Sequence, residues 1–352
     1  MEGGYSAADL FAIMLRAASR GDSIEHTSKR LSGAPSSNAM RYHLGKWDDM
    51  RELDIQVNQA LQSKLPDQIR GRSHKLAIDL HLIPYYGTPS EAEAPYIYRS
   101  QAKSGTTQFF AYASIYLIRR HKRVTLAVHP VHREETTVAI ITGLLSSLTP
   151  LKIRVKRLYL DRGFYSVPVI RWLKALNIPF LMPAIIRGKN GGTRALLKGR
   201  RSYSTRYTLN SQEYGCVTCQ MRIVCTYQKG RRGGHGIQWA LYVVHRVTVA
   251  LHQLHHHYRE RFGIESSYRL KNLSRIRTTS KNPVTRFLFV ALAFLLVNLW
   301  IYLLWHHVSQ TRRGGRRVYR EYFSLKTMLE LLSISVERDF PVITAIYIPA
   351  LE

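Results

Sequence analysis

Apolar and polar positions follow two rhythms along this chain. Residues 5–64 carry apolar side chains at helical spacing, broken by short polar turns. SAADLFAIMLRAASRG starts behind a candidate cap, Ser6, and stops at Gly21. SIEHTSKRL follows behind Ser23, and GAPSSNAMRYHLGKW reads as a turn and a further helix. Two short helices around a Gly/Pro/Ser turn fit a helix-turn-helix. SSNAMRYHL would then be the groove-entering helix, with Ser36, Ser37, Asn38 and Arg41 as candidate DNA contacts. An ordinary helical bundle fits the same pattern.

From residue 74 the rhythm becomes that of strands. HKLAIDLHLIPYYG reads as a buried strand ended by a turn at Gly87, and residues 88–105 as a polar loop. QFFAYASIYLIRR and HKRVTLAVHPV are further β-rich runs, followed by a helix in REETTVAIITGLLSSL. VKRLYLDRGF is a strand, VPVIRWLKALN a helix and IPFLMPAII a strand. That order predicts a mixed α/β layer. Residues 186–236 break it with Gly, Arg and Lys around β-type stretches such as YGCVTCQMRIVC, a β-rich insertion, after which WALYVVHRV returns to the core. Helices over 251–271 and 283–308 close the domain. The expected division is a helical DNA-binding domain at 1–70, a catalytic core in two parts at 71–185 and 251–310, the basic insertion at 186–250, and a C-terminal appendage at 311–352.

FLFVALAFLLVNLWIYLLW (287–305) is long and apolar enough to cross a bilayer, with Asn298 as its one polar residue. Basic blocks on both sides argue against a single span, since positive residues prefer one face. A buried central helix has the same pattern.

Charge narrows the function. Lys plus Arg number 52 against 23 Asp plus Glu, a formal net charge of +29. Such an excess favours nucleic acid, or less often an anionic membrane surface. Residues 1–70 hold nine basic and nine acidic side chains, whereas 151–260 hold twenty basic and three acidic. The basic surface therefore belongs to the middle of the chain, where basic turns suit phosphate contacts. Three cysteines, Cys216, Cys219 and Cys225, and a first segment without a basic n-region or cleavage site lead us to expect a cytoplasmic, nucleoid-associated protein. Cys216-x2-Cys219 with His235 downstream lacks a complete second ligand pair for zinc, so thiols on a β-hairpin are the preferred reading.

Against this basic background three acids stand out: Asp79 in KLAIDLHLI, Asp161 in LYLDRGFYS and Glu265 in YRERFGIESSYRLK. A carboxylate on a core strand is costly to desolvate unless it is paired or binds metal. Alternation puts Asp79 and His81 on one strand face, and Asp161 ends its strand just before Gly163, where α/β sheets present ligands. On the third segment, spacings of 3, 4 and 7 residues bring Tyr258, Arg261, Tyr268 and Arg269 toward Glu265. Carboxylates holding two Mg²⁺ or Mn²⁺ ions about 3.5–4 Å apart could activate a water or a 3′-hydroxyl. Hard oxygen ligands favour these metals over zinc.

At this point the chain resembles the insertion-sequence DDE transposases of the Y-R-E-K signature group. Tyr258, Arg261, Glu265 and Lys271 nearly reproduce Y-x2-R-x3-E-x6-K, with the Lys one residue early and Asn272 in its place. DRGFYS is similar to the group's second-Asp motif and AIDLHLIPYYG to its first, and the resemblance covers roughly 74–308. It implies an RNase H-like mixed sheet flanked by helices, with a β-rich insertion before the third acid and an N-terminal all-α domain. It also implies Asp79, Asp161 and Glu265 as metal ligands for Mg²⁺ or Mn²⁺. Tyr258 and Arg261 would position the scissile phosphate or transferred strand, Lys271 would contact the DNA backbone, and Arg162 and Arg269 are further phosphate candidates. The apolar 287–305 segment looks like the buried helix after the catalytic Glu, which disfavours a membrane role. The partners implied are double-stranded DNA, as element ends and target, and a second copy in a homodimeric DNA complex. A DNA-binding relic, a structure-specific nuclease with the same core and, further off, a single-span membrane protein are the alternatives.

Overall fold

A computed structural model of the chain describes residues 4–119, 124–229, 235–313 and 315–345, with the side chains of 228–229, 235 and 262–267 outside the described set. In chain order the elements are α1 (Ala7–Arg20), α2 (Ile24–Arg30), α3 (Ser37–Gly45), α4 (Met50–Ser63), β1 (Ser73–Pro84), β2 (Ile97–Lys103), β3 (Thr106–Leu117), β4 (Thr125–Pro130) and α5 (Thr137–Ser146). There follow β5 (Arg154–Leu160), α6 (Val167–Ala175), β6 (Phe180–Pro183), β7 (Tyr203–Ser211), β8 (Gly215–Lys229) and β9 (His235–His245). The last are α7 (Leu251–Arg259), α8 (Phe262–Leu273), α9 (Pro283–His306), β10 (Ser309–Arg312), β11 (Gly315–Val318) and α10 (Leu325–Asp339).

These elements form two compact units, one of residues 1–65, 83–110 and 266–352, the other of 66–82 and 111–265. In the first unit the N-terminal helices pack with the C-terminal ones. Ser6 and Asp9 cap α1 reciprocally, the capping box that satisfies two orphan backbone donors. Arg16 of α1, almost fully buried, reaches Glu337 of α10 at 3.0 Å and Asp22 at 3.0 Å. The unit therefore joins two stretches, 1–65 and 311–352, that the sequence pattern alone sets apart. Asn282 caps α9 through Val284 and Thr285, and Pro283 pre-sets the first turn. Most of α9 is buried in the protein, from Phe287 to Leu304, although it is long and apolar enough to cross a membrane. In the polar stretch 88–105, which reads as a loop, the chain pairs β2 with the start of β3 (Ile97 opposite Phe110). A backbone ladder there needs no apolar alternation.

The second unit is built on a mixed sheet, with neighbours in the order β3–β1–β5–β6–β9–β8–β7 and β4 against β3. β1, β5 and β6 run parallel. β9 turns antiparallel onto β6, with Phe180 opposite His245, and carries β8 and β7 beyond it. The insertion thus continues the core sheet instead of standing apart. α5 and α6 pack together, α6 lies on β7 and β8, and α7 also lies on β8. β5 shows how the sequence writes this: Arg154 and Lys156 are exposed at its start, and Leu158, Tyr159 and Leu160 are fully buried at its end.

Candidate active site

The parallel register of β1 and β5 sets Ile78 opposite Leu160. The next residue on each strand is an aspartate, so Asp79 and Asp161 emerge side by side. Asp161 opens a short 3₁₀ turn, Arg162–Phe164, which ends the strand. Parallel strands buried on both faces present such groups at their C-terminal ends.

A single cation spans the two acids. Arg261 Nη1 donates to Asp79 Oδ2 at 3.2 Å, and its Nη2 lies 3.7 Å from Asp161 Oδ1. The guanidinium is 6% exposed, whereas the Asp161 carboxylate is 45% exposed, so the pair opens to solvent on the Asp161 side. Asp79 Oδ1 also accepts the backbone N–H of Leu80.

Arg261 sits at a break between α7 and α8, where the sequence predicts one continuous helix over 251–271. Three contacts hold α7 to the sheet beneath that break. Tyr258, buried, donates to the carbonyl of Leu160, the residue before Asp161, at 3.3 Å, and burial pushes its phenol up. Tyr242 and His255 Nδ1 meet at 2.7 Å, and burial pushes the Tyr242 phenol up to about 12. Glu260 takes both oxygens to Lys75 Nζ, at 2.9 and 2.7 Å, and accepts from Tyr159 at 3.1 Å. Burial works to raise the Glu260 pKa, but the Lys75 hydrogen bonds and charge, with Tyr159 and His257, hold it below the ordinary carboxylate value.

Glu260, Lys75 and Tyr159 are absent from the sequence-derived site, although a signal for them existed. Strand alternation puts Lys75 and Asp79 on one face of β1, and Tyr159 and Asp161 on one face of β5. Glu260 immediately precedes Arg261. Each strand therefore offers an acid and, one or two steps behind it on the same face, a partner for Glu260.

The structure brings together Asp79, Asp161, Tyr258 and Arg261, with Arg162 exposed beside Asp161. Glu265 lies on α8, about one helical turn past Arg261 and in the same unit as the aspartates, with its side chain outside the described set. The other candidates belong to the first unit. Arg269 is exposed on α8. Asn38 and Arg41 are exposed on α3, where Arg41 bonds Asn38 at 2.9 Å and pairs with Glu25 of α2. Lys271 corrects the expectation made for it. It is fully buried, with its ammonium 5.2 Å from the Phe294 ring and 5.7 Å from that of Tyr268, not presented to a DNA backbone. Burial, then the charge of Arg275, lowers its pKa far below the usual lysine value.

Residues 71–299 match the profile of a protein family described as a transposase DDE domain. Among solved structures the chain is similar in fold to a piggyBac transposase, determined by cryo-EM as a synaptic complex with hairpin DNA. That likeness has a TM-score of 0.58 at 13% identity, over 96% of this chain and 73% of that one. No curated protein sequence matches the chain.

Proposed function

We propose, since the chain belongs to the transposase DDE-domain family and is thereby a metal-dependent transposase, that it binds the ends of a mobile element, hydrolyses the 3′ strands and joins them to target DNA. The observation that carries this reading is the β1–β5 register that brings Asp79 and Asp161 under one guanidinium. A cation already lies between the two carboxylates, so the donor set fits a hard divalent ion. Asp79, Asp161 and Glu265 are the residues that would hold it, in an RNase H-like core, with Mg²⁺ or Mn²⁺ as the ions these oxygens favour. When bound, such ions supply an activated water or 3′-hydroxyl and stabilise the leaving oxygen.

The chain's own groups then have separate tasks. Arg261 presents a planar fork of donors that matches two phosphate oxygens as well as it matches two carboxylates. Tyr258 ties the helix that precedes that arginine to the backbone of Leu160, so the phosphate clamp and Asp161 keep a fixed relation. Arg162 and Arg269, both exposed, would meet phosphates. Asn38 and Arg41 serve DNA recognition at the element ends, and two copies pair two ends, acting on nucleoid DNA in the cytoplasm.

The test is to incubate the purified protein with DNA carrying its own flanking sequences and Mg²⁺, and to sequence the products. Joined ends that disappear in Asp79→Asn, Asp161→Asn and Glu265→Ala, with DNA binding retained, are the expected result. Cleavage without joining would make the protein a nuclease, and binding without cleavage by the wild type would leave a DNA-binding relic.

A further inference from the structure

The match to the transposase family ends at residue 299, before the β10–β11 hairpin of the first unit. Between Ser309 and Tyr322 the chain holds five arginines, no lysine and one acid, Glu321. The ladder sorts these side chains by face. Gln310 pairs with Arg317 and Arg312 with Gly315, while Ser309 pairs with Val318 and Thr311 with Arg316. Paired residues share a face and successive residues alternate. Gln310, Arg312 and Arg317 therefore stand together on one side of the ribbon, all exposed. The other side rests on the end of α9. There Val318 is buried, and Arg316 lies 5.6 Å from the Trp305 ring and donates to the Trp305 carbonyl at 3.0 Å. The Ser309 hydroxyl donates to the same carbonyl at 2.5 Å. A two-stranded ribbon is marginal alone, and these contacts give it a fixed base.

One tyrosine organises the exposed side. The Tyr319 hydroxyl donates to Gln310 Oε1 at 2.8 Å and accepts from Arg312 Nη2 at 3.3 Å. The Arg317 guanidinium lies 4.9 Å from the centre of the Tyr319 ring, a cation–π contact that leaves its edge donors free. Like charges on a solvated hairpin spread apart, whereas these side chains converge on Tyr319. Gln310 carries no charge, so a surface made for phosphate alone gains little from orienting it. Base edges do use it. An arginine fork matches guanine O6 and N7, and a glutamine with its Nε2 donors and one Oε1 lone pair still open matches adenine N7 and N6. The major groove is about 12 Å wide and admits a two-stranded ribbon. A ladder of this length runs about 13 Å, or roughly four base pairs.

The reader expected from the sequence, α3, leaves room for a second one. Its Arg41 bonds Asn38 and pairs with Glu25, so part of its donor set is used within the protein. We propose that the β10–β11 ribbon enters the major groove and reads base edges, Arg312 and Arg317 on guanine and Gln310 on adenine, with Tyr319 as the residue that positions them. The inference rests on the transposase reading for DNA as the partner, and on the ribbon's own geometry for the reading of bases.

The experiment selects duplexes from a randomised pool with the full chain, without metal so that nothing is cut. Affinity for the selected sequence and for a scrambled one is then measured across a series of salt concentrations. Wild type is compared with Arg312→Ala, Arg317→Ala and Tyr319→Phe, the last of which keeps the ring beside Arg317 and removes only the hydroxyl. A base contact adds discrimination, whereas a cation that neutralises a phosphate steepens log affinity against log salt by about 0.9. The expected result is a guanine preference that relaxes by about 5- to 150-fold at one position in Arg317→Ala and at another in Arg312→Ala, with salt slopes unchanged. Tyr319→Phe should lose the adenine preference and keep the guanine preference that Arg317 supplies. Selection of one sequence by all four proteins would overturn the proposal. So would uniform weakening with slopes flatter by about 0.9, which would make the ribbon a phosphate-contacting arm. A wild type that binds every sequence alike also overturns it. In each of these cases, joining of DNA ends by the wild type leaves the transposase reading standing. If the wild type neither binds nor cuts DNA, that reading fails as well.

Discussion

Arg261 concentrates the chemistry of this chain in one side chain. Its guanidinium is desolvated and lies against two carboxylates that would otherwise repel each other more strongly. Arg261→Met leaves those carboxylates adjacent without the charge that spans them. Its melting temperature should fall in metal-free buffer and be restored by Mg²⁺ by a larger increment than wild type shows; thermal unfolding with and without MgCl₂ measures both. Equal increments would mean that the acids do not share a cation site. Lys271 poses the opposite problem, a buried ammonium with two aromatic rings for company. Because its folded pKa is lowered, the unfolded chain binds the extra proton between that value and the ordinary 10.5, so its contribution to stability rises with pH across that window. Lys271→Met should abolish that rise and stabilise the protein by about 1–3 kcal/mol near neutral pH, read by denaturant titration.

Among the elements, the break between α7 and α8 is the one that sequence periodicity hides. The apolar spacing runs on through 251–271, so a single helix is the natural reading. What interrupts it is a tertiary contact, Glu260 drawn down onto Lys75 and Tyr159, and a pairing across 185 residues leaves no local trace. Glu260→Gln should retain the fold at a cost of about 1 kcal/mol, given its partial exposure, yet lower strand cleavage more than DNA binding because Arg261 and Glu265 lose their anchor. The Glu260 carboxyl has a lowered pKa, so its stabilisation is present above about 4.5 and is lost as pH falls through the lower folded value. An acid unfolding curve that is the same for wild type and Glu260→Gln would remove the clamp from the account. The same contrast explains the rest of what could be read. Asp79 and Asp161 were legible because each ends a run of buried aliphatic residues where a charge has no reason to be. β2 was not legible, because IYRSQAK forms its ladder through backbone atoms and shows no apolar stripe. Lys271 was misplaced because its spacing matched a family pattern while its surroundings, Phe294 above all, come from another helix.

Across the molecule, the formal charge of +29 is distributed by unit and by strand. The early helices are near neutral, whereas residues 186–250, the stretch that holds the insertion strands, carry twelve basic side chains against one acid. Those strands also have a structural duty. β9 lies along β6, a strand of four residues whose Phe180, Leu181 and Met182 are fully buried, and pairs with it from Phe180 to Pro183. Removing residues 186–250 would strip β6 of that neighbour and leave its backbone donors and acceptors along a bare, greasy border. Such borders recruit other chains. The shortened protein should therefore be recovered as aggregate rather than as a smaller working enzyme, as light scattering during refolding would show. A soluble, monomeric product would mean that the border finds another cover. For anyone trimming this protein to a minimal catalytic core, the insertion is therefore the hem that keeps the sheet from sticking to its neighbours.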